Sequence, residues 1–330
     1  MSRFVQVSRL GEADVLSIER RDRPMPATGE VLVCMRAIGL NRADVMLRNG
    51  QYIDKPALPA LLGFEGVGTV QAVGADVTLF SVGDCVAVLP GFEVGRYGTY
   101  GDHALIPSAF VVKHPPSLSP IQGAALWMSS LVAYGGLVEA GELRPGATVA
   151  VTAASSSVGL AAIQIARLMG ARVVATTLTR DKHEALQAVG ADIVIATRED
   201  ALHKQLLATV PEGIDVVFDA VAGPDVMTWA QALRPGGRIV LHGALSSDET
   251  PFPLKLAIRH SLILRGFVYT EVVRNAACLS RAQAFITEGV RVGALLPHVD
   301  RTFPLEEVAE AHRYLESGRQ FGKVVMTTGN

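Results

Sequence analysis

The chain has 330 residues, with 30 Lys plus Arg against 32 Asp plus Glu and a formal net charge of −2. That balance removes the electrostatic drive toward nucleic acid or an anionic membrane. Hydrophobic residues at 49% and 32 glycines exclude global disorder and leave room for about two domains with substantial cores.

The opening residues 1–10 carry no long apolar run, so no secretory signal is expected. Residues 1–120 hold short Val-, Ile- and Thr-rich runs punctuated by glycine, at 30–37, 66–74 and 82–88. This spacing predicts an all-β unit, with Pro115-Pro116 marking its exit. Cys34, Cys85 and Cys278 stand far apart, with no CxxC pair. They predict small buried thiols in a reducing, cytoplasmic compartment, not a disulfide framework.

Over 121–267 the texture changes. Strands are predicted at 148–152, 172–176, 192–196, 215–220, 238–241 and 262–266, and helices at 158–169, 181–189, 200–209 and 225–233. Alternation at this spacing predicts right-handed crossovers and a doubly wound parallel sheet, an α/β fold. The uncharged stretches 117–138 and 146–166 are interrupted by polar residues and read as buried elements, not membrane spans. The tail 268–330 predicts helices near 276–289 and 305–317 and a strand at 323–327 returning to the first domain.

The first strand–helix turn of the doubly wound domain reads Ala153-Ala154-Ser155-Ser156-Ser157-Val158-Gly159. An apolar strand precedes it and a helix follows, the context of a pyrophosphate-binding loop. Ser155, Ser156, Ser157 and Val158 are its candidate contacts, although the G-x-G-x-x-G form is degraded to A-S-S-S-V-G. After the second strand, an NAD site places Asp or Glu on the ribose 2′-hydroxyl. Here Thr177, Thr179, Arg180 and Lys182 stand instead, which favours a 2′-phosphate and hence NADPH; Arg198, after the third strand, is a further candidate. Later strand ends offer Val221, Gly243, Ala244 and Phe267 for cofactor contacts, and His242 there reads more readily as a structural residue than as a proton donor.

The first domain carries Gly39-Leu40-Asn41-Arg42-Ala43-Asp44, then Gly50-Gln51-Tyr52, Leu62-Gly63-Phe64-Glu65-Gly66-Val67-Gly68, Gly83-Asp84-Cys85-Val86 and Gly98-Thr99-Tyr100-Gly101-Asp102-His103. Ala133-Tyr134 and Gly318-Arg319-Gln320-Phe321-Gly322-Lys323 complete the series. In this order the chain resembles the medium-chain dehydrogenase/reductase superfamily, in its zinc-free, zeta-crystallin-like quinone oxidoreductase branch. The resemblance implies a GroES-like β-barrel domain (1–120), a Rossmann domain (121–267), a C-terminal segment (268–330) returning to the barrel, a cofactor cleft and a homodimer through edge strands near 262–269.

Zinc-dependent relatives have Cys where this chain has Asn41 and His where it has Phe64, so no metal is expected. Without a Lewis acid, the acceptors that remain are quinones and activated C=C bonds, whose developing negative charge hydrogen-bond donors stabilise. Asn41 and Tyr52 are the catalytic candidates by resemblance, Asp44 braces their loop, and Tyr97 and Tyr100 are candidates to wall the substrate. Arg319 is a candidate 2′-phosphate partner. The chain departs from the family at Val132, where relatives often have a nicotinamide-binding Thr; Ser129 and Ser130 are the nearby hydroxyls. The expected activity is NADPH-dependent hydride transfer to a quinone. The alternatives are enone or enoyl reduction and a non-catalytic NADPH-binding protein.

Overall fold

Residues Glu30–Gly39 are buried along almost their whole length, with Cys34 half-buried and Arg36 alone facing out. A strand covered on both faces belongs at the centre of a sheet, and this one is the centre of a barrel-like sheet. The computed structural model describes residues 1–330. In its first unit, Glu30–Gly39 pairs antiparallel with Glu65–Val73, His103–Pro107 and Lys323–Thr327. Cys85–Val88, Val111–Lys113 and Val299–Pro304 extend that seven-stranded sheet, and Ser2–Val7 builds a second sheet with Leu16–Arg21 and Ala60–Leu61. The chain's last strand therefore does return to the barrel, opposite Ala37, Ile38 and Gly39.

The second unit is a six-stranded sheet whose every pairing is parallel. Its strands lie in the order Ile193–Ala196, Arg172–Thr177, Thr148–Val151, Ile214–Asp219, Leu233–Leu241, Ile263–Gly266. Valines and alanines at 149–151 and 173–175 are fully buried, as strands covered on both faces require. The helix Ser157–Leu168 lays Leu160, Ala162, Ile163, Ile165 and Ala166 against the sheet. Gly159 permits the close approach, since a Cβ there would lie 2.5 Å from the Ala154 carbonyl oxygen.

Contacts divide the chain after Met128 and after Leu296, so residues 121–128 join the first unit and 268–296 the second, unlike the boundaries expected at 120 and 267. The reason lies in packing. The helix Ala276–Arg291 buries Cys278, Ala282, Ile286 and Val290, and Leu296 is tied by two backbone hydrogen bonds to the Gln164 side chain, at 2.9 and 3.0 Å. The helical stretch Pro120–Ala140 is long and apolar enough to cross a bilayer, but 83% of its apolar 18-residue core is buried inside the protein.

Candidate active site

The sheet of the second unit reverses its winding at Thr148–Val151, flanked by Arg172–Thr177 and Ile214–Asp219. Ligands bind beyond the carboxyl ends of strands at such a switch point. The turn there starts with Ala153 in the left-handed region, at φ +46°. The three serines that follow divide their work. Ser156 caps the helix, accepting from the Gly159 N–H at 3.0 Å. Ser155 accepts from the Lys182 ammonium at 3.3 Å. Ser157 opens the helix, followed by Val158. The N-terminus of this twelve-residue helix carries about half a positive charge from its aligned peptides.

At the end of the second strand Thr177 is buried, and its carbonyl accepts from the Thr197 N–H and hydroxyl. No carboxylate occupies the positions directly after it. Two of the expected phosphate partners are already engaged. Thr179 donates to Asp181, and Arg180 is ion-paired with Asp200 and Glu199. Lys182 reaches Ser155 in the 153–157 turn, and the exposed Arg198 makes no ion pair and is fixed through its N–H to the Leu178 carbonyl at 3.1 Å.

Asp219, which the sequence reading did not single out, organises the remaining turns. Fully buried at the end of its strand, it accepts from the Thr152 hydroxyl (2.7 Å), the Val221 N–H (2.9 Å) and the Ala222 N–H (3.1 Å). The Thr152 oxygen in turn accepts from the Ala220 N–H at 2.8 Å. Burial nonetheless pushes the Asp219 carboxyl above its ordinary range, against those hydrogen bonds. A carboxylate at a strand end, directly before Ala220-Val221-Ala222-Gly223, was the available signal. The Leu245 and Ser246 N–H groups donate to the Ala220 and Val221 carbonyls, fastening the turn that holds Gly243 and Ala244. A Cβ on Gly243 would lie 2.7 Å from the Ala220 oxygen. Phe267 is buried against Gly135, inside the unit.

His242 sits in the interior as a packing residue. Its ring stacks on Phe218 at 3.8 Å, Nε2 is buried without a partner, and burial lowers its pKa to about 3. Desolvation disfavours the imidazolium in such a place, which argues against this ring as an acid.

In the first unit a second polar cluster forms around Glu65, 1% exposed. One of its oxygens accepts from the Lys323 ammonium and from Asn41 Nδ2 (3.2 Å); the other accepts from the Met128 N–H (2.9 Å). Lys323 also donates to Asn41 Oδ1 at 2.7 Å, and Asn41 Nδ2 reaches the Gly39 carbonyl at 3.3 Å. Gly39 is required here, since a Cβ would stand 2.9 Å from the Lys323 stem and 3.0 Å from that of Glu65. Both ends of the Asn41 amide are thus committed within the protein. Tyr52, 9% exposed, lies against Phe64 with ring centroids 5.7 Å apart.

Asp44 braces the same loop. It accepts from the Asn41 N–H and the Gly63 N–H, each at 2.9 Å. Tyr100 is also bonded to it and faces His312 Nε2 at 3.2 Å. Tyr100 is 2% exposed, so it belongs to the interior and not to a substrate wall. Tyr97 donates to Glu30 at 2.7 Å. Arg319 lies over the Tyr314 ring in this unit. Cys34 is half-buried and Cys85 exposed, against the expectation of buried thiols, because both sit on the outer face of the barrel, either side of Thr69.

A catalytic zinc does not fit these residues. Asn41 is a poor ligand, Phe64 is none, and Glu65 is already neutralised by a buried ammonium. No group of three or more His, Cys, Asp or Glu stands elsewhere in a ligating arrangement.

The family models "Alcohol dehydrogenase GroES-like domain" and "Zinc-binding dehydrogenase" match residues 27–116 and 157–284. Among curated proteins, a quinone oxidoreductase of Lama guanicoe is 31% identical over 329 residues, 99% of this chain and 97% of the relative. A synaptic vesicle membrane protein VAT-1 homolog of Rattus norvegicus is 29% identical over 345 residues, 99% of this chain and 84% of the relative. Three solved structures superpose along the chain. An NAD-dependent alcohol dehydrogenase has TM-score 0.89 and 33% identity, with 99% of this chain and all of that one covered. Escherichia coli quinone oxidoreductase complexed with NADPH has TM-score 0.91 and 27% identity at the same coverage. The CurK enoyl reductase has TM-score 0.87 and 27% identity, with 99% of each chain covered. Barrel, parallel sheet and end-to-end similarity agree: the chain belongs to the medium-chain dehydrogenase/reductase superfamily, in its quinone oxidoreductase branch.

Proposed function

We propose that this oxidoreductase reduces quinones with NADPH and without zinc. The observation that carries the reading is the buried Lys323–Glu65–Asn41 cluster beside Phe64, which spends the Glu65 carboxylate on an internal ammonium. Acceptors that need no Lewis acid fit such a site. When bound, NADPH supplies a hydride from its nicotinamide C4.

The chain's own residues then have separable tasks. The 153–157 turn and the first helical turn hold a pyrophosphate, by N–H groups and the helix dipole. Lys182 and Arg198 favour a 2′-phosphate over a bare ribose, with Thr177 shaping the strand end and Thr179 the start of the next turn. Val221, Gly243, Ala244 and Phe267 shape the turns that receive the rest of the cofactor. Asn41, with its amide fixed by Lys323 and Glu65, keeps the rim of the first unit in register and excludes water, while the Tyr52 hydroxyl supplies or relays the proton to the reduced acceptor. The likeness to an enoyl reductase supports a second reading, reduction of a C=C bond conjugated to a carbonyl.

The second unit ends in the edge strand Ile263–Gly266, with Ile263, Ile258 and Phe252 40%, 74% and 62% exposed nearby in sequence. An apolar edge of this kind is covered in a homodimer. The test of function is the rate of NADPH and NADH consumption over a panel of quinones and enones. Turnover of quinones, faster with NADPH, supports the reading. Turnover of enones alone moves the function to double-bond reduction, and nucleotide binding with no consumption by any acceptor overturns both.

A further inference from the structure

We propose that Ser155 is a positioning residue that sets the preference for a phosphorylated nucleotide by holding the Lys182 ammonium at the phosphate loop. The proposal rests on the NADPH reading above and adds to it a residue that does not itself contact the 2′-phosphate.

Three side chains after the second strand, Thr179, Arg180 and Lys182, could meet a 2′-phosphate, but Thr179 donates to Asp181 and Arg180 is held by Asp200 and Glu199. Lys182 points the other way. Its ammonium donates to Ser155 Oγ at 3.3 Å, across 27 residues of sequence, from the second strand–helix connection to the first. A lysine stem has many rotamers, and ordering it on a ligand loses that freedom. A hydroxyl that gathers the ammonium beforehand removes part of the loss, which is how preorganisation raises affinity. Ser156 cannot do this, because its oxygen accepts from the Gly159 N–H as the helix cap. Ser155 is therefore the member of the triplet committed to charge placement. The consequence is selective: only a ligand that uses Lys182 gains from Ser155, so a nucleotide lacking the 2′-phosphate does not.

The experiment is fluorescence titration of the full chain with NADPH and with NADH, for the wild type, Ser155→Ala, Ser155→Thr, Lys182→Ala and the Ser155→Ala/Lys182→Ala double variant. Ser155→Ala is expected to weaken NADPH binding about 3–10-fold, the range of one lost hydrogen bond to a charged group, and to leave NADH within about twofold. Ser155→Thr retains the wild-type ratio. In the Lys182→Ala background, Ser155→Ala has no further effect on NADPH. Equal weakening of both nucleotides by Ser155→Ala would place its hydroxyl on the pyrophosphate and overturn the proposal, as would no change in either. If Lys182→Ala leaves the NADPH-to-NADH ratio untouched, the 2′-phosphate reading of Lys182 fails with it. Retained NADH binding in each variant shows that the unit is folded.

Discussion

Replacing Lys323 by methionine keeps most of the stem's volume and removes the charge. Glu65 would then be left 1% exposed with only the Asn41 amide and the Met128 N–H as partners, and Asn41 Oδ1 would lose its donor. Breaking a buried pair by deleting one member costs about 3–5 kcal/mol, because the surviving charge stays desolvated. At a urea m-value of about 2 kcal/mol/M this lowers the unfolding midpoint by roughly 1.5–2.5 M. The chain offers a clean probe. It has two tryptophans, Trp127 in the first unit and Trp229 in the second, both buried. In a Trp229→Phe background, fluorescence follows the first unit alone. Glu65→Gln/Lys323→Met carries no buried charge and should recover most of the loss, so the double-mutant cycle yields a large favourable coupling. A Lys323→Met variant within about 1 kcal/mol of its parent, or a double variant as unstable as the sum of the singles, refutes the claim that these groups form a desolvated pair.

Asp219→Asn exchanges one accepting oxygen for an NH₂ group facing N–H donors, and should cost about 1–3 kcal/mol together with weaker binding of both NADPH and NADH, read by urea unfolding and fluorescence titration; unchanged binding of both would remove Asp219 from the site's framework. Burial pushes the Asp44 carboxyl up from 3.8 to about 7. The folded chain therefore holds a proton that the unfolded chain releases, so this group's contribution is fully present below about pH 4 and lost as pH rises through 7. The difference in melting temperature between wild type and Asp44→Asn should accordingly shift in favour of the variant from pH 4 to 8, and a difference constant with pH would contradict it. The His242 imidazole, lowered to about 3 by burial, should show no change in its NMR shifts between pH 8 and 5, whereas a midpoint near 6.5 would restore it as a proton donor. Ile263→Lys should convert a dimer to a monomer in sedimentation velocity; an unchanged sedimentation coefficient would place the dimer contact elsewhere, or nowhere.

Much of the architecture was legible along the chain. Strands covered on both faces read as unbroken Val, Ile and Ala runs, and the turn at Ala153–Gly159 stands between a strand and a helix whatever the rest does, because backbone pairing and helix capping act over a few residues. The polar residues after Arg172–Thr177 were visible as candidates for the same reason. Their division of labour was not. Whether Arg180 or Lys182 is available depends on Asp200 and Ser155, each a separate strand–helix unit away. Likewise, the absence of Cys at Asn41 and of His at Phe64 can be read from the letters, but the cation on Glu65 cannot. Lys323 lies 258 residues from Glu65 and 282 from Asn41, and meets them because the last strand pairs beside Gly39. Tyr100 was misplaced because a titratable side chain's chemistry follows its desolvation and partners, and those are set by which elements fold over it. Local spacing thus carries the elements and their order, while charge states and hydrogen-bond partners in the site belong to contacts between residues remote in sequence, which exist once burial has brought them out of water.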